Sequence, residues 1–180
     1  QGGRVVRELA RLHVQRLHPD EAFARYRALL ALRPDTSVRA EYAGALLAAQ
    51  RYDSAAANFR ILTATDSESV AYHLGLARSF AWSNHPREAE PELHWLVARS
   101  PNDTVLVSML HLARGAYDPT AAEAARWVND EPTYAPYRLA LARAQVREHR
   151  YGLAATAFDT LLAMTPAPTL SQVREAASAH

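Results

Sequence analysis

Small and large apolar residues recur along this chain in a pattern that returns about every 34 residues. Ala22, Tyr26, Leu29 and Pro34 are followed by Ala55, Phe59, Leu62 and Ser67. Then come Ala89, Leu93, Leu96 and Pro101, and finally Ala154, Phe158, Leu161 and Pro166. From Ala22 to Ala55 and from Ala55 to Ala89 the step is one period; from Ala89 to Ala154 it is two periods with a short deletion. A second series, Leu9-Ala10, Tyr42-Ala43, Leu76-Ala77 and Leu141-Ala142, precedes Ala22, Ala55, Ala89 and Ala154 by the same offset each time. Spacings of four and three put the alanine, the large apolar residue and the leucine on one helical face. Two such series in fixed register predict a repeated pair of helices and point to a binding scaffold.

The residue types fit that geometry. Ala10, Ala43, Ala77 and Ala142 stand where two antiparallel helices must approach closely, and a larger side chain would open a gap between them. Pro34, Pro101 and Pro166 follow the second helix of their units and stop it, because proline cannot continue the hydrogen-bond ladder. In this residue pattern the chain resembles the tetratricopeptide repeat family over nearly its whole length. The repeats read as roughly 3–35, 36–69, 70–103, 104–134 and 135–168 of one domain, 1–180. Residues 169–180 read as a capping helix or as the first helix of a truncated sixth unit. The fold this resemblance implies is all-α, a right-handed superhelical solenoid of about five helix-turn-helix repeats with a C-terminal cap.

The fourth unit departs from the pattern. Leu110 is followed by His111 instead of alanine, and Ala125 replaces the aromatic residue. Leu110 also stands two positions closer to Ala121 than the matching residues of the other units stand to their alanines. Asp118 as cap with Pro119 in the first turn predicts the start of its second helix. It is expected to be a shortened repeat with a local irregularity. Pro91 falls inside the second helix of the third unit, where it removes one backbone bond and is expected to kink the helix.

Composition narrows the function classes. Twenty basic residues against nineteen acidic ones leave a net charge of +1, which argues against a nucleic-acid partner. All the lysine-or-arginine positions are arginine. That reads either as selection for planar, bidentate anion contacts or as the codon usage of a GC-rich genome, and the abundant alanine supports the second. Cysteine is absent, so neither disulfides nor thiolate metal sites are available. The chain opens on Gln1-Gly2-Gly3 without an initiator methionine, which is expected of a processed form or a piece of a longer protein.

No catalytic, cofactor or metal site is predicted. No two of the histidines at 13, 18, 73, 85, 94, 111, 149 and 180 stand three or four residues apart, so no single helix offers a two-histidine grip. Glu88, Glu90 and Glu92 cluster early in a helix, where the helix dipole accounts for them without acid or base chemistry. Phosphate-loop, zinc-protease and nucleophile-elbow motifs are missing.

The resemblance places the first helix of each unit along the concave side. By phase with the Leu-Ala pairs, Arg7, Arg11 and Gln15 project there from the first unit and Ala40, Glu41 and Gly44 from the second. Leu74, Arg78 and Trp82 follow from the third and Leu139, Arg143 and Arg147 from the fifth. Family members that dock chaperone tails hold a carboxylate with lysine and asparagine on these surfaces, and here the matching positions carry neither. Arg7, Arg11, Arg78, Arg143 and Arg147 beside Trp82 form the candidate partner-binding set, suited to a peptide with acidic and apolar residues. The alternative is that these arginines are solvated or paired with carboxylates such as Glu8 and Glu148. Phe80 is expected to face the core. Trp82 is open between packing and ligand contact. Trp95 and Trp127 on second helices are more often packing residues, and they stay open too because the resemblance implies that the convex face can also bind.

Residues 74–83 are similar to repeats in bacterial envelope proteins linked to exopolysaccharide export and outer-membrane assembly. The function implied is a non-catalytic scaffold for a protein or peptide partner, with neither nucleic acid nor a small-molecule substrate. It would sit in a bacterial multiprotein complex, with the periplasm or envelope favoured and association with a membrane complex expected. The alternative is a regulatory or docking segment of a larger enzyme or outer-membrane export protein.

Overall fold

The structure, a computed structural model, describes residues 19–179. Those residues form ten α-helices and no strands. In chain order they are α1 (Pro19–Leu32), α2 (Thr36–Ala48), α3 (Tyr52–Thr65), α4 (Val70–Trp82), α5 (Pro86–Arg99), α6 (Thr104–Gly115), α7 (Ala121–Asp130), α8 (Ala135–Arg147), α9 (Tyr151–Met164) and α10 (Leu170–Ala179). They fall into two compact units, divided between Ala116 and Tyr117. In the first, α1 to α6 pack each on the next, and α2 also touches α4. In the second, α7 packs on α8, α8 on α9, and α9 on α10.

Local chemistry sets the helix ends. The Asp35 carboxylate accepts the amides of Ser37 and Val38 at 2.9 and 3.1 Å, and Asp103 does the same for Val105 and Leu106 at 3.0 and 3.1 Å. Within three helix pairs the connection is three residues long with its middle residue left-handed: Gln50 (φ 59°), Asn84 (φ 60°) and His149 (φ 58°). The Arg51 amide reaches back five residues to the Leu46 carbonyl at 2.9 Å, and Arg150 does so to Gln145 at 2.8 Å. This closure satisfies orphan carbonyls at the helix end while reversing the chain.

The small residues meet where the repeat predicts. Ala22, Ala43, Ala55, Ala77, Ala89, Ala142 and Ala154 are fully buried, with Tyr26, Phe59, Leu93 and Phe158 packed among them. One approach is closer still. A side-chain carbon on Gly75 of α4 would overlap the ring of Phe59 on α3, so only glycine fits there. Helix α5 runs through Pro91 as one helix, with the proline on its exposed side, and this is how the missing amide is tolerated.

The expected fourth repeat is where sequence and structure differ. Its first helix, α6, belongs to the first unit and its second, α7, to the second. Asp118 does not cap α7. The connection extends to Thr120, whose hydroxyl accepts the Glu123 amide at 3.2 Å while Glu123 accepts the Thr120 amide at 2.7 Å. That later start moves the register. The fourth residue of α7 is the fully buried Ala124, the position held by Ala55 in α3, Ala89 in α5 and Ala154 in α9. Ala124, not Ala121, is therefore the repeat alanine. Trp127 supplies the bulk that the short alanines lack, with ring centroids 5.6 Å from both Tyr117 and Tyr137. It is a packing residue, as is Trp95, which is partly buried against the first unit's core.

Helix α10 occupies the end predicted for a cap. Thr169 and Gln172 close its first turn reciprocally, and Ala176 and Ala179 bury against α9 and α8.

Candidate partner-binding site

In the first unit the predicted pair Arg78 and Trp82 stand one turn apart on α4. Phe80, between them, turns into the core. Trp82 packs in part and stays accessible in part. One side of its ring packs at 5.7 Å on Tyr52, yet 54% of the residue stays exposed. It also walls a depression of about 380 Å³ completed by Ala81, Asn84, Pro86, Met109, Leu112, Ala113 and Ala116. Leu112, at its edge, is 73% exposed.

Repeat spacing explains how these residues meet. Leu112 lies one repeat period after Arg78, and Ala116 lies one period after Trp82. In the other direction Gly44 and Ala48 hold the same two positions on α2. A single large aromatic residue thus stands between two small ones, with a notch on its α6 side. Arg78 is exposed and pairs with no carboxylate among the described residues. Leu112 and Met109 escape a reading of the sequence because the fourth unit looks irregular; the one-period offset from Arg78 is the signal that finds Leu112.

The second unit holds the predicted Arg143 and Arg147 one turn apart on α8, and both are engaged. Arg143 grips Glu175 of α10 with two parallel bonds, Nε to Oε2 and Nη2 to Oε1, each 2.7 Å. This bond raises the Arg143 guanidinium above its ordinary range and holds the Glu175 carboxyl below the usual carboxylate range. Ser171 adds a further bond to Glu175 at 2.9 Å. Arg147 donates to the Pro119 carbonyl at 2.7 Å and to Asp118 at 3.3 Å. A shallow cavity of about 250 Å³ lies beside them, floored by Phe158. Glu148 pairs instead with Arg150 at 3.5 Å and accepts the Ala121 amide. Arg7, Arg11 and Gln15 lie outside the described residues. Leu74 and Leu139, read as groove residues, pack partly buried against the two cores.

The acidic cluster on α5 has specific partners that helix-dipole reasoning misses. Glu90 is buried against Arg114 of α6, at 3.0 Å to Nε and 2.9 Å to Nη2. Glu92 meets Nδ1 of His73 at 2.5 Å, and Nε2 of that ring donates to the Ser67 carbonyl at 2.9 Å. The His73 ring stacks at 3.8 Å on Trp95, over which the Arg99 guanidinium lies at 3.5 Å. Only Glu88 remains as a solvated residue in the first turn. Among the described residues no group of three histidines or carboxylates is placed to hold a metal ion.

No family model matches the chain, and no curated protein matches it by sequence. Solved structures do. A truncated MamA from Desulfovibrio magneticus superposes with a TM-score of 0.57 at 18% identity, covering 90% of this chain and 94% of that one. A tetratricopeptide repeat protein from Parabacteroides merdae gives 0.50 at 17% identity, over 97% and 70%. YrrB, described as a tetratricopeptide repeat protein with an unusual peptide-binding site, gives 0.50 at 15%, over 96% and 90%. Buried alanines at the repeat positions, paired antiparallel helices and these superpositions agree: the chain has the tetratricopeptide repeat fold.

Proposed function

We propose that this chain is a non-catalytic interaction module that holds a protein or peptide partner and helps organise a bacterial, envelope-associated complex. One observation carries the reading. In the first unit an exposed tryptophan and an exposed leucine flank an apolar depression, with an arginine nearby that has no carboxylate among the described residues. Solvent-exposed aromatic and arginine residues around a preformed apolar pocket are what partner anchors need. The described peptide-binding site of YrrB, on the same fold, supports a peptide as the partner. The likeness of residues 74–83 to repeats of envelope proteins supports the location. Arg78 and Trp82 form the centre of the site. In the second unit, taken by itself, Arg143 and Arg147 are open to a partner carboxylate only where it displaces Glu175 or Asp118, and Arg7 and Arg11 complete the proposed set.

The test is affinity capture from bacterial envelope and cytoplasmic fractions with the wild-type chain and with Arg78→Ala and Trp82→Ala. A partner held by the wild type and lost from both variants supports the reading. Equal retention by all three would remove the site, and capture only from the cytoplasmic fraction would remove the envelope assignment.

A further inference from the structure

We infer that the depression beside Trp82 is a socket for one large apolar side chain of an acidic peptide, whose neighbouring carboxylate is held by Arg78. The inference rests on the peptide-holding reading above and narrows it to one place and one ligand chemistry.

The socket has the walls such an anchor requires. Trp82, Pro86, Met109 and Leu112 present carbon to it, and the Asn84 amide is the polar side chain at its edge. About 380 Å³ admits a single leucine- or phenylalanine-sized group with room at the mouth. Methionine and leucine walls adapt to either shape. The partner's sign follows from Arg78. The arginines of the second unit's predicted set already hold acceptors: Arg143 has Glu175, and Arg147 has Asp118 and the Pro119 carbonyl. Arg78 has none among the described residues, so a bidentate anion position is open one turn from the socket.

The spacing of the ligand follows as well. Side chains four apart on a helix lie about 5–6 Å from one another. An extended peptide advances about 3.3 Å per residue and returns to the same side every second residue. The acid and the apolar anchor therefore stand two residues apart, on one side of the ligand. Small residues keep the path of its backbone clear: Ala48 and Ala116 flank Trp82 in the repeat, and nothing lies within 4 Å of where a Gly44 side chain would be.

The experiment is selection of a random-peptide phage library on the immobilised chain, followed by affinities of a synthesised winner by fluorescence anisotropy. The expected winners carry Asp or Glu two residues from Phe, Leu, Met or Trp. Leu112→Asn and Arg78→Glu, both at exposed positions and checked for retained helicity, each weaken binding about tenfold or more. A peptide with its acid replaced by arginine regains binding to Arg78→Glu. Winners without that pairing, or affinities indifferent to both variants, overturn the socket and leave peptide binding standing. No enrichment at all overturns both. A wild-type dimer that Leu112→Asn converts to monomer makes the occupant a second copy and also overturns the inference.

Discussion

The carboxylate of Glu90 on α5 and the guanidinium of Arg114 on α6 meet at 2.9–3.0 Å with both side chains almost wholly removed from water. Two charges so placed tie α6, the helix that carries Leu112 and Met109, to the repeat before it. Removing either partner leaves the other charge buried, a far larger penalty than the pair's net worth. Arg114→Met is therefore expected to cost roughly 3–5 kcal/mol, with Glu90→Leu/Arg114→Met recovering most of it. Urea unfolding of the two singles and the double closes the cycle. A double variant no more stable than Arg114→Met would show that the pair is not what holds α6 in place.

Gly75 sits under the Phe59 ring, where an added carbon would run into the ring atoms. Alanine is the better helix former by up to about 1 kcal/mol, so propensity alone favours Gly75→Ala. Overpacking wins, because Phe59 is itself buried and the added carbon would overlap two of its ring atoms. Gly75→Ala is expected to destabilise by about 1–3 kcal/mol, less the propensity gain, and Phe59→Leu in the same chain to restore most of the loss. Thermal unfolding midpoints of the three variants measure it.

Much of the fold was legible because helix pairing imprints itself on residue size. Ala22, Ala55, Ala89 and Ala154 mark the well-formed second helices, and Phe80 turns inward as its phase demands. The α7 register was not legible. Asp118-Pro119 imitates a helix start, and only the Thr120–Glu123 pair, three residues apart, betrays the real one. Nor was the Glu90–Arg114 pair, since the two charges are far apart in the chain and their meeting depends on how α6 lies against α5. The candidate site was legible only in its geometry. Phase alone put Arg78 and Trp82 one turn apart on one helix, while the engagement of Arg143 by Glu175 required α10 to be seen docked.

Three connections place a non-glycine residue in the left-handed region, where a side chain crowds the following carbonyl. Asn tolerates this better than Gln, because its short amide bonds locally. Gln50→Gly is therefore expected to stabilise the first unit by about 0.5–1 kcal/mol, the relief of strain exceeding the entropy glycine adds to the unfolded chain. Asn84→Gly should change little. His149→Gly gains less than Gln50→Gly, since it loses the 2.9 Å bond from His149 to the Tyr151 hydroxyl. Urea midpoints in the order Gln50→Gly above Asn84→Gly support this account, and the reverse order contradicts it.

The Arg143–Glu175 grip makes the docking of α10 sensitive to acid. The carboxyl of Glu175 titrates below its ordinary value of 4.5 in the folded chain, chiefly through its bond to Arg143. A carboxyl so lowered stabilises the folded state fully above its unfolded value, and the contribution fades as pH falls through the folded one. Arg143, shifted upward from its ordinary value, stays charged throughout. The pair is partly exposed, so its worth is about 1 kcal/mol or less, screened by salt. Amide resonances of Ala176 and Ala179, followed from neutral pH to about pH 3, should broaden or shift below 4.5. Glu175→Gln should begin in the loosened condition at neutral pH and respond little to acid. A wild type and a Glu175→Gln variant with the same acid profile would mean that Ala176 and Ala179, buried against α9, hold this helix without help from the charge.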